Sequence, residues 1–156
     1  MLFGIILSSI SLISTAQDHD HDHSEHEHIH TEIATGGGLA FSTESSGIAP
    51  AFHLHGIKGI TPHFGLGLGY EIIIGEELHQ SIAALINFKP YEFIDINLGP
   101  GIVLPADDEA ATLVLNAEFA FPYHIGEVVH LGPLLDLGYS KHGLHLIAGV
   151  HIGFDL

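Results

Sequence analysis

Apolar and polar residues alternate along most of this chain, most plainly at its end. Leu144, Leu146, Ala148, Val150, Ile152, Phe154 and Leu156 take every second position, with His145, Ile147, Gly149, His151, Gly153 and Asp155 between them. A period of two sends successive side chains to opposite faces of a β-strand, so the spacing predicts a strand with one apolar and one small or polar face. Seven further segments repeat the pattern: 32–41, 48–55, 63–74, 78–88, 92–104, 111–121 and 128–139. In the third, Phe64, Leu66, Leu68, Tyr70, Ile72 and Ile74 alternate with His63, Gly65, Gly67, Gly69, Glu71 and Ile73. A glycine triplet, Gly36 to Gly38, interrupts the first. Helical spacing fits none of these runs.

Eight strands joined by short links predict an all-β antiparallel up-and-down barrel over 32–156, because closure removes exposed edges. Two architectures share that count. A soluble lipocalin-like barrel turns its apolar face inward, whereas an outer-membrane barrel turns it to lipid. The alternate face here is rich in Gly and Ala, which suits the narrow interior of eight strands, and the bulky set is too large for that interior. Strands of about 10–12 residues tilted near 45° stand about 23–28 Å tall, the height of a lipid-facing band. The expectation is therefore a transmembrane barrel. Links near Glu44, Glu76–Glu77 and Asp107–Glu109 are acidic, while those containing Pro62, Pro90 and Pro122 are tighter and carry aromatics suited to an interfacial girdle.

Charge sharpens this reading. Only 14% of the chain is charged while 46% is hydrophobic, where a soluble domain would carry about a quarter charged residues. Nineteen acids face three Lys+Arg residues, giving a net charge of −16, and fifteen histidines are present. Such an acidic chain repels phosphate backbones, so no nucleic-acid partner is expected. With no cysteine there is no disulfide framework, thiolate nucleophile or cysteine metal site.

The first residues differ from the body. Residues 1–16 read as a secretory signal, with an apolar core and a small Ser14-Thr15-Ala16 run before Gln17, although no Lys or Arg precedes the core. Residues 17–31 form a His/Asp/Glu-rich segment that cannot bury apolar surface, so the sequence predicts disorder there. It holds His19, His21, His23, His26, His28 and His30 with five acids interspersed. Neutral imidazoles flanked by carboxylates suit zinc, copper or nickel, and the loose spacing implies interchangeable coordination modes. A solvated acidic spacer is the alternative.

Signal, eight alternating strands and the closing Val150-His151-Ile152-Gly153-Phe154-Asp155-Leu156 together resemble the small Gram-negative outer-membrane barrels of the OmpA/OmpX type. The closing strand departs from the family's terminal aromatic, ending in Leu156 with Phe154 two residues earlier. The resemblance implies outer-membrane lipid and the barrel-insertion machinery as partners, and a periplasmic N-terminal tail.

The inward face should then hold Glu71, Asp95, Glu118 and Asp136, with His53, His55, His63, His79, His130, His145 and His151. Lys89 alone is available to pair these acids. A strand turn near Gly59 would set His55 opposite His63 as a possible luminal metal pair. No GxSxG elbow is present, and His23-Ser24-Glu25-His26 lacks the HExxH spacing, so neither an enzyme nor an organic cofactor is expected. The functional expectation is a small outer-membrane barrel whose His-rich tail binds or buffers divalent transition metal. Alternatives are a structural or adhesion barrel without a metal role, and a soluble lipocalin-like carrier.

Overall fold

A computed structural model describes residues 31–43, 47–76, 78–105 and 110–156. The expected signal at 1–16 and the six tail histidines His19, His21, His23, His26, His28 and His30 lie outside these residues. Among the described residues nine strands follow one another: β1 (Thr31–Ser42), β2 (Ile48–Gly59), β3 (Phe64–Ile74), β4 (Leu78–Tyr91), β5 (Ile94–Leu104), β6 (Thr112–Ala120), β7 (Tyr123–Ile125), β8 (Val129–Ser140) and β9 (Gly143–Asp155). Every sequential long strand pairs antiparallel with the next, β6 pairs with β8, and β9 returns to β1, closing the ring.

The ring has eight staves, not nine. Ala120 faces Leu134 and Tyr123 faces Leu131, so β6 and β7 run in one register along β8. Pro122, which has no N–H to give, breaks the stave between them. Phe121 N–H still donates to the Pro133 carbonyl at 3.0 Å, which keeps β7 aligned. The glycine triplet does not break β1, which pairs with β2 and β9 straight through Gly36, Gly37 and Gly38.

Alternation sorts the faces as the sequence predicts. The apolar set points out: Leu68 is 66% exposed and Leu113 73%, and Ile33, Phe52, Leu66, Ile86, Leu98, Val150 and Ile152 are exposed with them. An apolar band circling the whole barrel has no counterpart on a soluble monomer and is a lipid-facing surface. The opposite parity fills the lumen with small residues such as Ala34, Ala40 and Ala51, and with polar ones. Two small apolar clusters, Ala40–Ala51–Ile147 and Ile57–Ala83–Leu85, pack among them.

Both ends of the barrel chain meet at one mouth, where Leu156 N–H donates to the Thr31 carbonyl at 2.8 Å. The β2–β3, β4–β5 and β7–β8 turns lie at this terminal mouth.

Candidate metal centre in the barrel lumen

The lumen carries five buried carboxylates, Glu32, Glu71, Asp95, Glu118 and Asp136, and five buried imidazoles, His53, His55, His130, His145 and His151. Buried acids need a cation, a proton or hydrogen-bond donors. Lys89 answers for two of them, with Nζ 2.6 Å from Glu32 Oε2 and 3.3 Å from Asp95 Oδ2. From there a polar circuit crosses the barrel. Asn87 Nδ2 donates to Asp95 and, at 2.8 Å, to Asn97 Oδ1. Asn97 Nδ2 donates to Glu118 Oε1 at 2.9 Å, and His55 lies 3.5 Å from both Glu118 Oε1 and Glu32 Oε1. Seven side chains from five strands close this loop, which fixes the rotamers around Glu32.

Lys89 engages one oxygen of Glu32, leaving Oε1 to face the imidazoles. His130 Nε2 lies 3.5 Å from that oxygen and His151 Nε2 3.6 Å, and the two nitrogens are 3.1 Å apart. A zinc ion bound at 2.0–2.2 Å holds tetrahedral ligands about 3.3–3.6 Å from one another. The three donors therefore outline one face of a zinc-sized tetrahedron. His130 and His151 are adjacent on β8 and β9, and their rings stack with centroids 5.2 Å apart.

Among the described residues three more groups gather ligand atoms within 4.8 Å of one another: His53–His55–Glu118, Glu71–His79–His145 and His124–His130–Asp155. In the second of these, His145 Nε2 lies 3.2 Å from Glu71 Oε1, yet neither atom makes a hydrogen bond. His53 Nε2, Asp136 Oδ1 and His151 Nδ1 are likewise buried without one. Among the described residues, five buried carboxylates set against the Lys89 ammonium leave this lumen rich in negative charge, a setting that suits a cation or protonated imidazoles.

Glycines make room for the rings. His53, His130 and His145 stand directly across from Gly36, Gly153 and Gly138, and a Cβ on any of those glycines would collide with the facing imidazole. The small inward face is thus spent on histidine rings.

A vestibule of about 830 Å³ opens at the terminal mouth, bordered by Pro62, His63, Tyr91, Phe93, His124 and Asp155, among others. Two smaller cavities measure about 30 Å³, among His53, Glu71 and Glu118, and about 20 Å³, between Glu32 and the β2–β3 turn, room for about a water molecule each.

No family model matches the chain, and no curated protein sequence matches it. Solved structures do. The attachment invasion locus protein Ail of Yersinia pestis aligns with a TM-score of 0.58 at 11% identity, covering 82% of this chain and 99% of Ail. The N-terminal β-barrel domain of Pseudomonas aeruginosa OprF gives 0.58 at 12% identity, covering 81% and 97%. Neisserial surface protein A gives 0.58 at 13% identity, covering 82% and 97%.

This chain has the fold of the small eight-stranded outer-membrane barrels. At 11–13% identity the likeness is one of architecture.

Most inward residues stand where alternation puts them: Glu71, Asp95, Glu118, Asp136, His53, His55, His130, His145 and His151 are buried, and His79 is half-buried. His63 is the correction. It is exposed ahead of β3, with its ring Nδ1 2.9 Å from the Lys89 carbonyl oxygen, and the residue across from His55 is Gly69. The turn centres on Thr61–Pro62, not Gly59, because β2 pairs through to Gly59↔Gly65. That shift moves His63 out of register with His55. Glu32 was missed as a site residue, although its parity opposite Ile33 was the available signal.

Proposed function

We propose that this chain is an outer-membrane barrel that binds divalent transition metal, zinc, copper or nickel, in its lumen as well as along its N-terminal histidine run. The triangle of Glu32 Oε1, His130 Nε2 and His151 Nε2 carries the reading, with its 3.1–3.6 Å edges in a buried site. Nitrogen and oxygen donors without sulfur suit these metals. On this reading the chain ends face the periplasm, and His19, His21, His23, His26, His28 and His30 gather metal beside the mouth that holds Glu32 and Asp155. Bound metal is concentrated and buffered at the membrane, and no covalent chemistry is required.

Calorimetry with zinc tests it on the refolded full-length chain, on a chain lacking residues 17–30 and on Glu32→Gln. Binding should survive the deletion and weaken by about 10–100-fold in Glu32→Gln, the range typical of damaged metal sites. Binding lost wholly with the tail would remove the luminal site, and no binding by any chain would sink the proposal.

The adhesion-type alternative is favoured by the neighbours' architecture alone. Ail has been crystallised with a heparin analogue, sucrose octasulfate. A chain with net charge −16 and three Lys+Arg residues offers a sulfated polyanion little to bind.

A further inference from the structure

The luminal triangle is buried, so a metal must reach it by way of other residues. Resting on the proposed metal role, we infer that His124 and Asp155 form a loading site on the terminal vestibule, and that His130 passes metal from it to Glu32 and His151. Three observations converge. The His124 side chain is 47% exposed, and its Nε2 lies 3.7 Å from Asp155 Oδ2. His130 borders the same vestibule, with Nδ1 3.3 Å from that Asp155 oxygen. The Nε2 of the same ring faces the interior, 3.5 Å from Glu32 and 3.1 Å from His151. One imidazole therefore belongs to two donor groups through its two different nitrogens.

That geometry makes the two sites alternatives. A neutral imidazole has one ring nitrogen free to ligate, while the other carries the proton. With Nδ1 on a metal at the vestibule, Nε2–H donates inward to Glu32 or His151. With Nε2 on a metal inside, Nδ1–H donates to Asp155, the carboxylate-to-histidine contact that orients ligating imidazoles elsewhere. In net terms the hand-over releases the Nε2 proton to solvent and takes one from solvent at Nδ1, so the number of protons and the neutral ring are both conserved. The ion then passes from one edge of the His130 ring to the other, and the hand-over calls on side chains at the terminal mouth and not on the parting of a strand pair.

Cobalt(II) loading of the full-length chain in detergent micelles tests this, because tetrahedral sites absorb visible light far more strongly than the octahedral ion. Wild type should develop the tetrahedral bands. His124→Ala should slow their appearance by about tenfold or more, the size of effect seen when a supporting metal contact is lost, and should reach the same final amplitude. His151→Ala should lose the amplitude. His124 is exposed, so its removal threatens no core packing, and heat-modifiable mobility confirms each variant is folded. Wild-type loading rates in His124→Ala, or a loss of final amplitude there, overturns the hand-over. Absence of tetrahedral bands in wild type sinks the luminal metal site itself, a distinct result.

Discussion

Lys89 is the residue on which the luminal electrostatics turn. Its ammonium contacts Glu32 and Asp95 together and is part of the circuit that runs through Asn87, Asn97, Glu118 and His55. Removing one partner of a buried ion pair leaves an uncompensated charge, typically at a cost of about 3–5 kcal/mol. Lys89→Met should therefore lower folding free energy in micelles by an amount near the low end of that range, since the lysine side chain keeps 29% exposure. Urea titration followed by heat-modifiable mobility measures it, and a loss under about 1 kcal/mol would show that the acids find other partners. Glycine positions give a second residue-scale outcome. Gly153→Ala sets a methyl where the His130 ring lies. The ring must tilt, and zinc affinity should fall while the apolar exterior and the barrel stay intact. Calorimetry on that variant reads the change, and unaltered affinity would remove His130 from the site.

At the scale of the element, parity decides what a substitution does. Leu68 on β3 points to lipid, while its neighbours Gly67 and Gly69 back onto Ile57 and Leu85 in the lumen. Leu68→Arg places a charge against hydrocarbon near mid-strand and should cost about 2–4 kcal/mol in a bilayer. Unfolding in liposomes checks this, and a neutral result would mean that β3 faces water. The same parity explains what was legible in the sequence. Alternation in β3, β8 and β9 is nearly unbroken, so their faces could be read directly from Leu, Ile and Tyr against Gly, His and Asp. It could not reveal that Pro122 splits a stave, because a period-two pattern carries no information about which N–H is missing its partner. Nor could it find the β2–β3 turn centre. Residues 56–63 mix glycine, lysine and isoleucine without clear alternation, and the pairing of His55 depends on that count. Glu32 escaped for a different reason: it opens the 32–41 segment, and the ends of an element are where a periodic pattern says least about facing.

For the whole molecule, the apolar exterior and the polar interior make a single forecast about location. Material expressed in a Gram-negative host should fractionate with the outer membrane and show heat-modifiable mobility in detergent. Recovery in the soluble periplasm without detergent would restore the lipocalin-like alternative, in which the bulky face turns inward. The closed ring and its buried side chains crowd the described lumen, where two cavities measure about 30 and 20 Å³. A metal ion that enters this interior trades its hydration shell for imidazole and carboxylate ligands.

Glu32 has one more consequence, for how the cylinder is sealed. It sits at the start of β1, yet its carboxylate meets His55 on β2, Lys89 on β4, His130 on β8 and His151 on β9. Joining β1 to β9 is the one pairing that brings the two ends of the barrel chain together, and hydrogen-bond ladders alone would accept a slip of two residues along it. Such a slip would carry Glu32 about 7 Å along the seam, away from the lysine and imidazole nitrogens that it meets in this register. The side chain that offers a ligand in the finished barrel thus also acts as a bolt, admitting one register of closure and rejecting its neighbours.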